Sequence, residues 1–268
     1  MKTSNPFANR KARDAKDLGR KGVGDTPGYA RILIVCEGQK TEPYYFEAFK
    51  SDYRDQLKAI EIRSAPTAPI SNVEMAEKLY REDLSSVAGD KSLAYAAVYC
   101  VFDRDAHPSF AKANAKIAAL KAGKSKLPIH GAVSYPCFEF WLILHFQFSR
   151  SPFAKTGNKS IGDIAKKELT KYPGFKSYIE REPNAYALTK EKLREGIKHS
   201  KRALKAALDV GELNPSTRIH ELVECLLEVV HKSLVAERKK QKMPRPPIDP
   251  LREKINAIES ILSKTKTT

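Results

Sequence analysis

The sequence predicts an α/β protein: a four-stranded, mostly parallel sheet with helices on both faces, followed by a basic, mostly helical C-terminal region. Three observations predict it. Two stretches, 32–36 (ILIVC) and 94–102 (AYAAVYCVF), are almost continuously apolar, as strands buried on both faces of a parallel sheet are. Helix-like stretches alternate with these and two shorter apolar stretches up to about residue 149, the rhythm of repeated βα units. Beyond residue 150 no strand pattern recurs.

Taken in order, the first strand covers 32–36 and a helix covers 43–57, with Pro43 at its start. A short second strand covers 59–63. Ser71 with Glu74 three residues on reads as a capping box, opening a helix to about Val87. The third strand covers 94–102 and an Ala/Lys-rich helix covers 108–122. A fourth strand covers 129–133, and Pro136 opens a helix through Phe146. The two most apolar strands, the first and third, are expected at the centre. In the C-terminal region, a long basic helix is predicted over 184–208, an amphipathic one from 215 to 232 or beyond, and a third over 250–262. Met243-Pro-Arg-Pro-Pro reads as a linker. The organisation expected is a basic flexible arm (1–29), an α/β unit (30–149) and a basic helical region packing on it (150–268).

The chain has 268 residues, 41% hydrophobic and 30% charged, enough for a sizeable core. It has no apolar run of the ~18 residues needed to span a membrane, and its N-terminus lacks the apolar stretch of a secretory signal. A cytoplasmic protein with no membrane partner is expected. Gly19, Gly22 and Gly24 precede the first strand, so they are not a dinucleotide loop. None of the four cysteines forms a C-x-x-C pair, which argues against a zinc ribbon; they read as reduced core thiols.

The net charge of +16 is unevenly spread: +5 over residues 1–31, zero over 32–149, +9 over 150–205 and +2 over 206–268. Basic segments flanking a neutral unit point to an acidic partner, nucleic acid first. Within 184–208, Arg194, Lys198, Lys201, Arg202 and Lys205 recur at helical spacings of three and four. They can share one face, a candidate nucleic-acid-binding surface.

The residues that can do chemistry follow the two most apolar strands. Glu37-Gly38-Gln39-Lys40-Thr41-Glu42 follows the first and Asp103-Arg104-Asp105 the third. In such sheets ligands bind outside the C-terminal strand ends. Several carboxylates at one edge repel one another unless a cation joins them, and oxygen donors suit Mg2+ or Mn2+. Gly38 allows a tight turn and close approach of a phosphate. Lys40 is either a charge neutraliser or an exposed loop lysine. His220-Glu221-Leu-Val-Glu224 lacks the second histidine of a zinc-protease motif. His107 and His145 read as structural, and Trp141 with its phenylalanine neighbours as core.

The stretches around Glu37 to Pro43, Val101-Phe-Asp103-Arg-Asp105-Ala-His107-Pro108, Ser134-Tyr-Pro-Cys137-Phe-Glu139-Phe-Trp141 and Asn214-Pro-Ser-Thr217, with His220, resemble the RloB-like family over about residues 30–232. RloB-like proteins resemble Toprim-domain proteins, which share a Glu followed by Asp-x-Asp with topoisomerases, bacterial primases and overcoming-lysogenization-defect nucleases. The resemblance implies that Glu37 is the Toprim Glu and that Asp103 and Asp105 are metal ligands. Glu139 falls at the later acid of two-metal nucleases, and Glu42 stands near a further acid position. It also implies anti-phage defence and an ATPase partner or self-association. Two metals about 3.5–4 Å apart would serve phosphodiester hydrolysis. The expectation is therefore a Mg2+- or Mn2+-dependent nuclease on DNA or RNA, with tRNA a possible substrate. A non-catalytic nucleic-acid-binding or adaptor subunit, or another phosphotransfer enzyme, competes with it.

Overall fold

The computed structural model describes residues 30–65, 68–104, 107–124, 126–155, 157–178, 185–240 and 249–263. The predicted arm (1–29) and the Met243–Pro247 linker lie outside them. The elements are β1 (Ile32–Glu37), α1 (Thr41–Asp52), β2 (Ile60–Ala65), α2 (Pro69–Ser86), β3 (Ala97–Asp103), α3 (Phe110–Ala122), β4 (Ile129–Tyr135) and α4 (Glu139–Ile143). The C-terminal region adds α5 (Ile161–Leu169), α6 (Ala185–Thr189), a 3-10 turn (Lys190–Lys192), α7 (Leu193–Val210), β5 (Ser216–Thr217), α8 (Ile219–Lys240) and α9 (Pro250–Ser263).

The strands lie in the order β2-β1-β3-β4-β5, with β1 to β4 parallel and β5 antiparallel to β4. β1 and β3 are interior, as their apolar runs require. The chain leaves β1 for β2 on one side, then crosses back to place β3 on the other side of β1. The strand order therefore reverses between β1 and β3, the place where an open α/β sheet leaves a crevice at its carboxyl ends.

Alternation along each strand divides the core in two. Leu33, Val35, Val98, Cys100 and Phe102 pack with α2 and α3 through Val73 and Ile117. Ile32, Ile34, Tyr99 and Val101 pack on the other face with Phe46, Trp141 and residues of α8 such as Leu226. Each fully buried Leu, Ile or Phe stabilises by about 1.5–3 kcal/mol. Leu169, Phe175, Ile197 and Ile258 join this second layer, so the C-terminal region shares a core with the α/β unit.

The sheet has five strands where four are predicted. β5 is only two residues long, too short for any period-2 pattern. It pairs Ser216 with Tyr135 and Thr217 with Ser134, and the Ser134 and Thr217 hydroxyls lie 3.0 Å apart. Helix starts also differ. Helix α2 begins at Pro69 with Ala68 at its N-cap and no side-chain cap, because proline presets the first helical φ. The capping box lies instead at α5, where Ser160 and Asp163 bond each other's backbone N–H groups. Helix α4 begins at Glu139 rather than Pro136, because a turn over 136–138 intervenes.

The predicted long basic helix is broken. The Thr189 hydroxyl bonds back to the Ala185 and Tyr186 carbonyls, an interaction that bends helices, and the 3-10 turn follows. Helix α7 then presents Leu193, Ile197, Leu204 and Ala207 to the core. It approaches α4 closely at Gly196, where a Cβ would stand 2.8 Å from the His145 ring. All four cysteines are free thiols, as expected.

Candidate metal and active site

Strands β1 and β3 end side by side, with Cys36 in register with Val101. Glu37 and Asp103, the last residues of the two strands, thus emerge at the crevice. The amide of Asn72, buried on α2, donates to the carbonyls of both Val35 and Val101, tying the two strand ends together. Gly38 then turns the chain at φ +85°, in the left-handed region that favours glycine. The backbone N–H of Asp103 donates to Glu37 Oε2 at 3.2 Å, which brings the Glu37 carboxylate against the end of β3.

Two further acids reach this place. Helix α1 starts at Thr41, two residues earlier than predicted, which puts Glu42 in its first turn and buries it. Glu139 opens α4 and is 3% exposed. The backbone N–H of Phe138, in the turn before α4, bonds the Asp103 carboxylate. That turn, used to serve Asp103, is where the sequence pattern suggests helix.

The electrostatics mark the four acids as one cluster. Burial pushes the pKa of Asp103 well up, and Glu42, Glu139 and Glu37 push it further, against the Phe138 N–H. Glu42 is pushed up to about 8, by burial first and also by Glu139 and Glu37. Its own backbone N–H and Lys166 of α5 act the other way. Like charges crowded in a partly desolvated pocket disfavour ionisation. A divalent cation would relieve that cost, and an all-carboxylate donor set is the chemistry Mg2+ or Mn2+ takes. Among the described residues, no group of three or more His, Cys, Asp or Glu side chains is arranged to hold an ion as it stands. Asp105, the remaining predicted ligand, lies outside the described residues.

Lys40 occupies the N-cap of α1, its carbonyl accepting from the Tyr44 N–H at 3.0 Å. Three further residues also stand here, two of which, Lys166 and Tyr178, the sequence pattern did not single out. Lys166 is near Glu42. Cys137 is buried with its thiol against Glu139, and burial followed by Glu139 and Asp103 pushes its pKa well up. The Tyr178 hydroxyl donates to Glu139 Oε1 at 3.4 Å. Lys166 and Tyr178 come from the C-terminal region, so no local motif could have placed them beside β1 and β4.

On α7 the predicted basic residues lie opposite the buried face. Lys198, Arg202 and Lys205 are exposed, and Arg194 and Lys201 are partly buried. Lys201 pairs with Glu224 of α8 at 2.6 Å, and the Arg202 guanidinium lies 3.8 Å from the centre of the Phe148 ring.

His145 and His220 are structural. His145 Nδ1 bonds the Trp141 carbonyl, and His220 Nδ1 bonds the Ser200 hydroxyl at 2.7 Å. Burial lowers His145 from 6.5 to about 4 and His220 to about 3. The folded state thus refuses protons that the unfolded chain takes up below pH 6.5. Stability contributed by these two rings is full above pH 6.5 and is lost progressively as pH falls through about 4 and 3. Replacing His220 with Gln is expected to flatten the fall in melting temperature between pH 6.5 and 4, measured by scanning calorimetry; an unchanged slope would refute the assignment.

Fold and site together define an α/β protein whose strand-order reversal gathers carboxylates at one sheet edge. The family described as RloB-like protein matches residues 32–226, and the chain belongs to it. No curated protein and no solved structure matches the chain. Among the described residues no helix is long and apolar enough to cross a membrane.

Proposed function

We propose that this RloB-like protein is a Toprim-type, divalent-metal-dependent nuclease that hydrolyses phosphodiester bonds of DNA or RNA in anti-phage defence. The observation that carries the reading is the gathering of Glu37, Glu42 and Glu139 around Asp103 where the strand order reverses. Glu37, Asp103 and Glu139 would hold Mg2+ or Mn2+, with Asp105 and Glu42 as further donors. The bound ion supplies Lewis-acid stabilisation of the phosphodiester and a more acidic water. Asn72 and the Phe138 N–H fix the strand ends and the Asp103 carboxylate. Lys40 would neutralise charge developing on the phosphate. The exposed cations of α7 would bind the nucleic-acid backbone.

An ATPase partner or self-association would restrain the enzyme, since an unrestrained nuclease harms its own cell. A second reading is a non-catalytic nucleic-acid-binding or adaptor subunit. It draws on the fact that the described carboxylates are not arranged to hold an ion as they stand. Incubation of the purified protein with plasmid, single-stranded DNA and tRNA, in Mg2+, Mn2+ or EDTA, separates the two. The nuclease reading expects cleavage with either ion and none in EDTA. Binding without cleavage under every condition would favour the adaptor.

A further inference from the structure

We propose that Tyr178 is a positioning residue of the carboxylate site, holding Glu139 in the orientation that receives a divalent cation; the inference rests on the metal-site reading above. Tyr178 lies beyond α5, outside the β1–α4 unit that supplies the carboxylates. Its ring packs on Phe175, which is fully buried, with the ring centroids 5.5 Å apart. The ring is therefore anchored independently of its hydroxyl.

The hydroxyl makes two contacts. It donates to Glu139 Oε1 at 3.4 Å, and it hydrogen-bonds the side chain of Thr41. A phenol has one proton to give and two lone pairs, and a carboxylate only accepts. With its proton committed to Glu139, Tyr178 takes the Thr41 proton. The relay Thr41 to Tyr178 to Glu139 spans the segment after β1 and the segment after β4. Both carry acids of the cluster, Glu37 and Glu42 on one side and Glu139 on the other. A carboxylate with one oxygen held by an anchored donor presents the other in a fixed direction, which is how outer partners tune metal ligands.

The alternative is that Tyr178 only fills space, and the hydroxyl separates the two. Tyr178→Phe keeps the ring and its packing on Phe175. It is expected to melt with the wild type in EDTA and to bind Mn2+ about tenfold more weakly, the lower end for a lost outer partner. Mn2+ binding is read by electron paramagnetic resonance without nucleic acid. In the nuclease assay kcat should fall with KM for nucleic acid unchanged. Thr41→Val, which removes the donor behind Tyr178, is expected to shift Mn2+ affinity in the same direction by less, and it keeps the test alive if Tyr178→Phe does not fold. Wild-type protein that binds Mn2+ while both variants match it would overturn the role of Tyr178 and leave the metal site standing. Wild-type protein that binds no Mn2+ would overturn both.

Discussion

Asp103→Asn and Glu37→Gln are each expected to cut phosphodiester hydrolysis by about a thousandfold or more, since a metal centre supplies several kcal/mol and each 1.36 kcal/mol is tenfold. The same changes should not harm the fold. Asp103 sits among Glu42, Glu139 and Glu37, and all three oppose its ionisation. Removing one negative charge relieves that repulsion, so the metal-free variants should melt at or above the wild-type temperature. Glu42→Gln makes the sign explicit. The folded-state pKa of Glu42 is raised from 4.5 to about 8, so its contribution is favourable below pH 4.5 and is lost as pH rises through 8. In EDTA the variant should gain on the wild type as pH rises across that window. Adding Mg2+ should raise the wild-type melting temperature and narrow the gap. Calorimetry at pH 5 and pH 8.5, with and without Mg2+, reads this directly. Full cleavage by Asp103→Asn, or a metal-free variant that melts well below wild type, would sink the assignment.

Strands β1 and β3 and the acids at their ends are legible in the sequence because the cause is local. A strand buried on both faces must be apolar throughout, and the first polar residue after it marks the sheet edge. Glu37 and Asp103 are such residues. What was not legible depends on contacts made far along the chain. Strand β5 is defined by its pairing with Ser134 and Tyr135 rather than by any pattern of its own. The start of α4 is set by the turn that turns the Phe138 N–H toward Asp103. Lys166 and Tyr178 belong to a region read from sequence only as basic and helical, and tertiary packing alone brings them to the cluster. The break before α7 falls where the Thr189 hydroxyl turns back onto its own helix, a side chain that a periodicity reading counts as neutral.

Reversing charge on the exposed face of α7 is expected to weaken nucleic-acid binding strongly. The structure refines which cations to change. Lys201 is paired with Glu224, so its replacement would break an interhelical contact and confound the result. Arg202 covers the Phe148 ring, and a guanidinium stacked on an aromatic also contributes by packing. Lys198 and Lys205 are exposed on the face opposite Ile197 and Ala207, so Lys198→Glu with Lys205→Glu perturbs charge with the least disturbance of the core. If both lysines meet phosphates, each lost contact lowers the slope of log affinity against log salt by about 1. The double variant should therefore lose about 2 from that slope, nearly alike for unrelated sequences, because backbone contacts carry no sequence information. Fluorescence anisotropy with labelled single-stranded DNA and tRNA between about 50 and 200 mM salt measures both quantities. Wild-type affinity and slope in the double variant would remove α7 from the binding surface and leave the basic residues ahead of β1 as the candidates to test.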